Sequence, residues 1–245
     1  MKYSFKEVLD SYPKTHIESL WTKYLVRPLS FPIAYLLVNI GCSAWMASVL
    51  SIFVAIASCT LICIPNYVCH WVGISMIVLW QLLDCVDGTI ARTTKKTSSL
   101  GEFIDAQSGY TIMAFIYFAV GMVAYFDNRF LPNGVEYISI VIGAVSSISN
   151  ILARLINSRY IYCALKLKIK NNTLEEIPNE DILPKDIMGK IRVLADFHLG
   201  LVGIYVPLLI ISEIFHLYEF VNVAYCIYSL AGCLFASVLY AYKAK

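Results

Sequence analysis

Charge is what this sequence most lacks. Of its 245 residues only 15% are Asp, Glu, Lys or Arg, against 59% hydrophobic. A water-soluble domain of this length needs far more polar surface, so the composition excludes that class and implies an integral membrane protein. The formal net charge of +2 is too small to suggest a nucleic-acid partner. The opening residues, MKYSFKEVLDSYPKTHIES, mix both charge signs and hold no continuous apolar stretch, so they do not read as a cleaved signal peptide. Metal-ligand spacing among cysteines is missing as well. Cys42, Cys59, Cys63, Cys69, Cys85, Cys163, Cys226 and Cys233 lie mostly inside apolar runs, with no Cys-x-x-Cys or His-x-Cys pair, and read as reduced, small hydrophobes. The chain shows no internal repeat and no low-complexity tract.

What it has instead is long apolar runs. A transmembrane helix needs about 20 mostly apolar residues, and six segments qualify: 43–64, 70–90, 102–126, 134–156, 195–215 and 220–242. Breakers separate them, Pro65-Asn66 after the first and DNRFLPNG after the third. Cytoplasmic loops collect Lys and Arg. Counted that way, one side holds Lys2, Lys6, Lys14, Lys23, Arg27, Arg92, Lys95, Lys96, the run from Arg154 to Arg192, Lys243 and Lys245. The other side holds only Arg129. Both termini are therefore expected in the cytoplasm, with the protein in a plasma, inner or endomembrane. Ahead of the spans, Ile17, Leu20, Trp21, Tyr24 and Leu25 recur at helical spacing, with Glu18, Thr22 and Lys23 on the other face. This pattern predicts an amphipathic helix lying in the headgroup layer. The next stretch, FPIAYLLVNIG, is bounded by Pro32 and Gly41 and is expected to dip into the bilayer. The predicted fold is all-α integral membrane: six transmembrane helices preceded by an amphipathic interfacial helix. Residues 1–42 form the interfacial segment and 43–245 the membrane domain.

Three aspartates interrupt this oil. Near the end of the second span, Asp84, Asp87, Gly88 and Ala91 fall at i, i+3, i+4 and i+7, on one helix face. Ser98 is placed to cap the third span, and Asp105 lies one turn beyond Gly101 on it. A short basic loop joins the two spans, so they are expected to pack as antiparallel neighbours that bring Asp105 to Asp84 and Asp87. A carboxylate within a span costs roughly 2.5–3.5 kcal/mol on insertion scales and marks a functional cavity. Three together repel unless protons or a cation sit among them. All-oxygen donors suit Mg²⁺ or Mn²⁺. Gly88, Ala91 and Gly101 leave room for a ligand, and Arg92 offers a bidentate phosphate binder. From the residues alone a metal–diphosphate pocket, a proton- or ion-transport relay and close helix packing all stand.

The string Asp84-x-x-Asp87-Gly88-x-x-Ala91-Arg92-x8-Gly101-x3-Asp105 resembles the signature of the CDP-alcohol phosphotransferase family, whose pattern ends on a further aspartate four residues later. The resemblance implies transfer of a phosphate-linked alcohol group from a CDP-alcohol, commonly CDP-diacylglycerol, to an acceptor hydroxyl, with release of CMP. It implies a divalent ion, Mg²⁺ or Mn²⁺, on Asp84, Asp87 and Asp105, and a CDP pocket formed by those residues with Gly88, Ala91, Arg92 and Gly101. It also implies a homodimer among membrane lipids and a small or lipid alcohol as acceptor. The sequence departs from the family's pattern at Gly109, where the resemblance puts the base that deprotonates the acceptor. Gln107 and Ser108 are poor bases, Tyr110 points about 100° round the helix, and Asp105 is the available substitute. A variant disabled at one position, a member with a relocated base, and a non-catalytic CDP-lipid-binding homologue are the accounts this leaves.

Elsewhere Arg154, and Arg192 with Asp196 and His198, are placed to line an acceptor pocket, where two arginines would suit a phosphorylated acceptor; membrane anchoring is the alternative. His198 reads as an interfacial polar group and Glu213 as a side chain snorkelling to the outer face.

Overall fold

The computed structural model describes residues 2–13, 18–170 and 187–243. Among them there is no strand. A short amphipathic helix α1 (Phe5–Asp10) is closed by a capping box in which the Ser4 and Glu7 side chains satisfy each other's backbone amides. A π-helical turn (Thr22–Val26) runs into α2 (Arg27–Asn39). The long helices follow: α3 (Ala44–Ile62), α4 (Tyr67–Thr94), α5 (Ser99–Phe126), α6 (Ile138–Lys170), α7 (Ile187–Leu199), α8 (Val206–Phe215) and α9 (Tyr218–Lys243). With α7 and α8 taken as one broken span, six helices are long and apolar enough to cross a membrane.

Local chemistry sets the ends. After Pro65, the Asn66 side chain accepts from the amides of Val68 and Cys69 and starts α4. Lys95, in the left-handed region at φ 53°, stops it. Ser98 accepts from the Gly101 amide at 3.0 Å and starts α5, as its position predicts. At the other end of this bundle, Glu219 accepts from the backbone amides of Arg129, Phe130 and Leu131, which pins the α5–α6 loop to α9.

Helix α3 lies between α4 and α5. It buries Ala47, Ser48, Ser51, Val54, Ala55, Ser58 and Cys59 on one stripe, and these small side chains let α4 and α5 approach it from two directions. This overturns the expected side-by-side pairing of the second and third spans. Both pack on α3, and they scarcely touch each other at backbone level. A short loop brings two helix ends together but cannot make their lengths pack when a third helix offers a smoother face. One direct bond crosses the interval, from Trp80 Nε1 to Ser108 Oγ at 2.9 Å. Around α5 lie α6 and α9, with Trp80, Ile112, Ile116, Tyr117, Tyr205 and Leu209 filling the interior.

Other expectations change as well. Pro32 lies inside α2 and does not bound it; the bond it forgoes is to the carbonyl of residue 28, so one continuous helix reaches Asn39. In the interfacial segment Leu20, Tyr24 and Leu25 are exposed while Trp21 packs against the core. Glu18, expected on the polar face, is instead buried in an ion pair with Arg27; Ile17 lies outside the described residues. The fifth span starts at Ile187, ahead of residue 195, and breaks between Gly200 and Gly203, where Gly203 holds φ −101°, ψ −118°. Glu213 does not snorkel. It is 4% exposed, accepts from the Tyr218 hydroxyl at 2.6 Å and faces His70 Nδ1 at 3.3 Å.

Candidate active site

The aspartates occupy the end of the bundle where α3 and α5 begin and α4 stops. Asp87 is buried, 4% exposed. Its Oδ2 accepts from Ser48 Oγ of α3 at 2.5 Å and its Oδ1 from the Gly88 amide at 2.5 Å. One further lone pair on each oxygen stays available. Asp84, one turn earlier, is partly buried, and Asp105 is exposed on α5. The three carboxylates are near enough for the charges of Asp84 and Asp105 to act on Asp87, and for that of Asp105 to act on Asp84. Among the described residues no three His, Cys, Asp or Glu side chains already close around one point. The donor chemistry nevertheless fits a hard divalent cation: every donor is a carboxylate oxygen, and the like charges repel unless a cation or protons sit among them.

Small residues shape the floor of this end. A Cβ on Gly88 would lie 3.1 Å and 3.3 Å from the two terminal nitrogens of Arg92, so the guanidinium rests directly over the glycine. A Cβ on Gly101 would press on Ser98 Oγ at 3.2 Å, so that glycine protects the cap that starts α5. Ala91 is partly buried on the same face of α4 as Asp84, Asp87 and Gly88. At Gly109 a Cβ would meet nothing within 4 Å. Its neighbour Ser108 is buried and committed to Ser51 Oγ at 2.6 Å and to Trp80, so it is a packing residue of the α3–α4–α5 junction.

A cation reaches this end from an unexpected place. Arg27 of α2 donates Nη1 to the Cys85 carbonyl at 3.2 Å, pairs with Glu18, and acts electrostatically on Asp84. Its only sequence signal was a basic residue in an interfacial segment. Ser48 carried less, since a serine in an apolar helix usually bonds its own backbone.

A second polar pocket opens where α5, α6, α7 and α9 meet. Tyr117, Asn150, Arg154, Asp196 and Tyr228 line it, together with Met113 and residues Gly200 to Val202. Asn150 Nδ2 donates to the Tyr117 hydroxyl at 3.3 Å, and the Tyr228 hydroxyl donates to Asp196 at 3.1 Å. Arg154 Nε is buried without a hydrogen-bond partner. Arg192 is not in this lining. Its guanidinium lies 5.0 Å from the Tyr240 ring and donates to the Tyr240 hydroxyl, which donates onward to Asn157. His198 is exposed.

With that geometry in place, comparison with protein families gives a match over residues 42–227 to the model described as CDP-alcohol phosphatidyltransferase. The matched stretch runs from just before α3 into α9 and contains the three aspartates, Arg92, Arg154 and Asp196, but not Arg27. Comparison with curated proteins gives no match.

Proposed function

This chain belongs to the CDP-alcohol phosphatidyltransferase family, a family of transferases, and on that premise we propose that it moves a phosphoryl-alcohol group from a CDP-alcohol such as CDP-diacylglycerol to an acceptor alcohol and releases CMP. The observation that carries this reading is Asp87, a buried carboxylate fixed by Ser48 and the Gly88 amide and set against two more carboxylates.

Asp84, Asp87 and Asp105 would hold Mg²⁺ or Mn²⁺. The ion supplies positive charge to the diphosphate and to the phosphate that leaves as CMP. Ser48 and the Gly88 amide keep the Asp87 carboxylate in one orientation, so its remaining lone pairs are aimed before substrate arrives. Arg92, spread over Gly88, presents N–H groups to diphosphate oxygens in a geometry that lysine would not reproduce. Gly88, Ala91 and Gly101 leave the nucleotide room. The acceptor enters through the pocket beside Arg154, whose orphaned Nε suits an anionic or strongly hydrogen-bonding acceptor. Its hydroxyl attacks the phosphorus that carries the donor alcohol, the bond to CMP breaks, and the hydroxyl proton passes to the protein. Gly109 has no side chain to take that proton, and Asp105, one turn earlier on α5, is the nearest carboxylate on that helix.

The open space at Gly109 favours a second reading, a homologue that binds the CDP-lipid without turnover. One assay separates the two: CMP release in vesicles containing CDP-diacylglycerol, with Mn²⁺ or Mg²⁺ and a panel of glycerol, glycerol 3-phosphate, serine, inositol phosphate and choline. Metal-dependent release that vanishes in Asp87→Asn supports transfer. Release only after Gly109→Asp identifies a site that binds but lacks its base. No release and no donor binding in either chain overturns the proposal.

A further inference from the structure

The fifth span breaks inside the membrane region, and the break exposes carbonyls that a continuous helix would satisfy. Such groups are tolerated at that depth only where other side chains take them up. Three different elements do so here. Tyr225 of α9 donates to the Leu199 carbonyl at 2.7 Å. Ser19 and Thr22, at the start of the interfacial helix, both donate to the Val202 carbonyl, at 2.7 and 2.9 Å. Gln81 of α4 donates Nε2 to the Leu201 carbonyl at 3.2 Å.

The glutamine is itself held. Trp21 Nε1 donates to Gln81 Oε1 at 2.9 Å, which fixes the amide so that its NH₂ faces the break. Gln81 is buried and stands one helical turn before Asp84. The stretch it supports, Gly200 to Val202, is a wall of the pocket that holds Arg154 and Asp196. One side chain thus joins the aspartate helix to the wall of the second pocket, and the interfacial helix sets the orientation of that side chain.

We infer that Gln81 is a positioning residue, clamped by Trp21, that holds the Arg154 pocket at a fixed offset from the aspartates and so governs what that pocket accepts. The inference rests on the proposed function only in treating the aspartate end as the donor site and the Arg154 pocket as the acceptor site.

The test compares full-length wild type with Gln81→Leu, Gln81→Glu and Trp21→Phe in vesicles. Gln81→Glu keeps the acceptor for Trp21 and loses the amide donor to Leu201; Trp21→Phe keeps an aromatic ring, smaller than the indole, and loses the N–H. Two quantities are measured on each protein. The first is backbone amide hydrogen exchange across residues 199–206. The second is affinity for two probes, CDP-diacylglycerol with Mn²⁺ and sn-glycerol 3-phosphate. Exchange across the break is expected to rise at least tenfold in both Gln81 variants and about threefold in Trp21→Phe. Glycerol 3-phosphate affinity is expected to fall at least tenfold in the Gln81 variants, with donor affinity kept within twofold. Unchanged exchange in both Gln81 variants overturns the inference whatever the ligands do. An equal fall in both affinities also overturns it, since that is general loosening rather than positioning. Failure of the wild type to bind either probe counts against the proposed function instead, and the exchange measurement then decides this inference alone.

Discussion

Asp87 is buried in the largely apolar helix α4, and its carboxylate meets two donors, Ser48 Oγ and the Gly88 amide. A bond to an ionised carboxylate contributes about 1.5–3 kcal/mol, so the pair offsets part of what burying that form costs. The Ser48 bond has a second effect, because it crosses from α3 to α4 and fixes where the remaining lone pairs point. Outer-shell partners of this kind typically change metal affinity by about 10–100-fold when removed. Ser48→Ala is therefore expected to weaken Mn²⁺-dependent binding of CDP-diacylglycerol by roughly tenfold, while Ser51→Ala, which touches Ser108 and no carboxylate, leaves it within about twofold. Binding titrations in vesicles with and without Mn²⁺ check this, and equal effects of the two variants would remove Ser48 from the site. The aspartates themselves stood out in the sequence, because two carboxylates at helical spacing near the end of one apolar run and a third early in the next admit few explanations. Ser48 and Arg27 were not. Each acts across a tertiary contact between elements far apart in sequence, and a single serine or arginine carries no mark of the helix it will meet.

At the level of elements, the spans were legible because apolar runs of about 20 residues have one use, and the cap at Ser98 stands where its position predicts, while Asn66, read only as a breaker, also caps α4. Two features escaped. The break at Gly200–Gly203 has the same hydropathy as an intact helix, and what stabilises it is supplied by Ser19, Thr22, Gln81 and Tyr225 from elsewhere. The separation of α4 from α5 depends on how well α3 receives them both, a matter of side-chain size summed over three helices. The α5–α6 crossing makes the point sharply. Gly121 and Gly143 face each other so closely that a Cβ on Gly121 would lie 2.7 Å from the Ser139 carbonyl oxygen, and one on Gly143 2.6 Å from that of Tyr117. These contacts are to backbone, which cannot swing aside as a flexible side chain does. Gly121→Ala and Gly143→Ala are each expected to destabilise the bundle by about 1–3 kcal/mol, the usual cost of overpacking. Gly232→Ala on α9, where an added Cβ meets nothing within 4 Å, is expected to be neutral or slightly stabilising, by at most about 1 kcal/mol. Thermal unfolding in detergent distinguishes the two outcomes, and a Gly232 variant as unstable as the other two would show that the loss is not specific to the close crossing.

For the whole molecule the decisive quantity is how charge divides between its two ends. At the end where α4 stops and α5 begins stand Arg92, Lys95, Lys96 and the aspartates, with Arg154, Arg192 and Lys243 on helix portions that reach the same end. At the opposite end the connections after α3, α5 and α8 carry a single Lys or Arg, Arg129, and its side chain lies 3.5 Å from Asp127. Basic residues in short loops are retained on the cytoplasmic side during insertion, so this partition favours one orientation: aspartates inward, the Asp127–His216 and His70–Glu213 contacts outward. If the site takes a CDP-alcohol, as proposed, it has to face the side of the membrane on which the donor's nucleotide headgroup is presented. The orientation therefore bears on function as well as on topology. A protease-cleavable tag inserted within residues 131–135 is expected to be cut in intact cells, while the same tag fused after Lys245 resists until the membrane is opened. The reverse pattern would place the aspartates outside the cell's nucleotide pool and overturn the proposed reaction along with the orientation. Cutting of both tags in intact cells would mean an odd number of crossings, which would turn one of the six helices into an interfacial or re-entrant element.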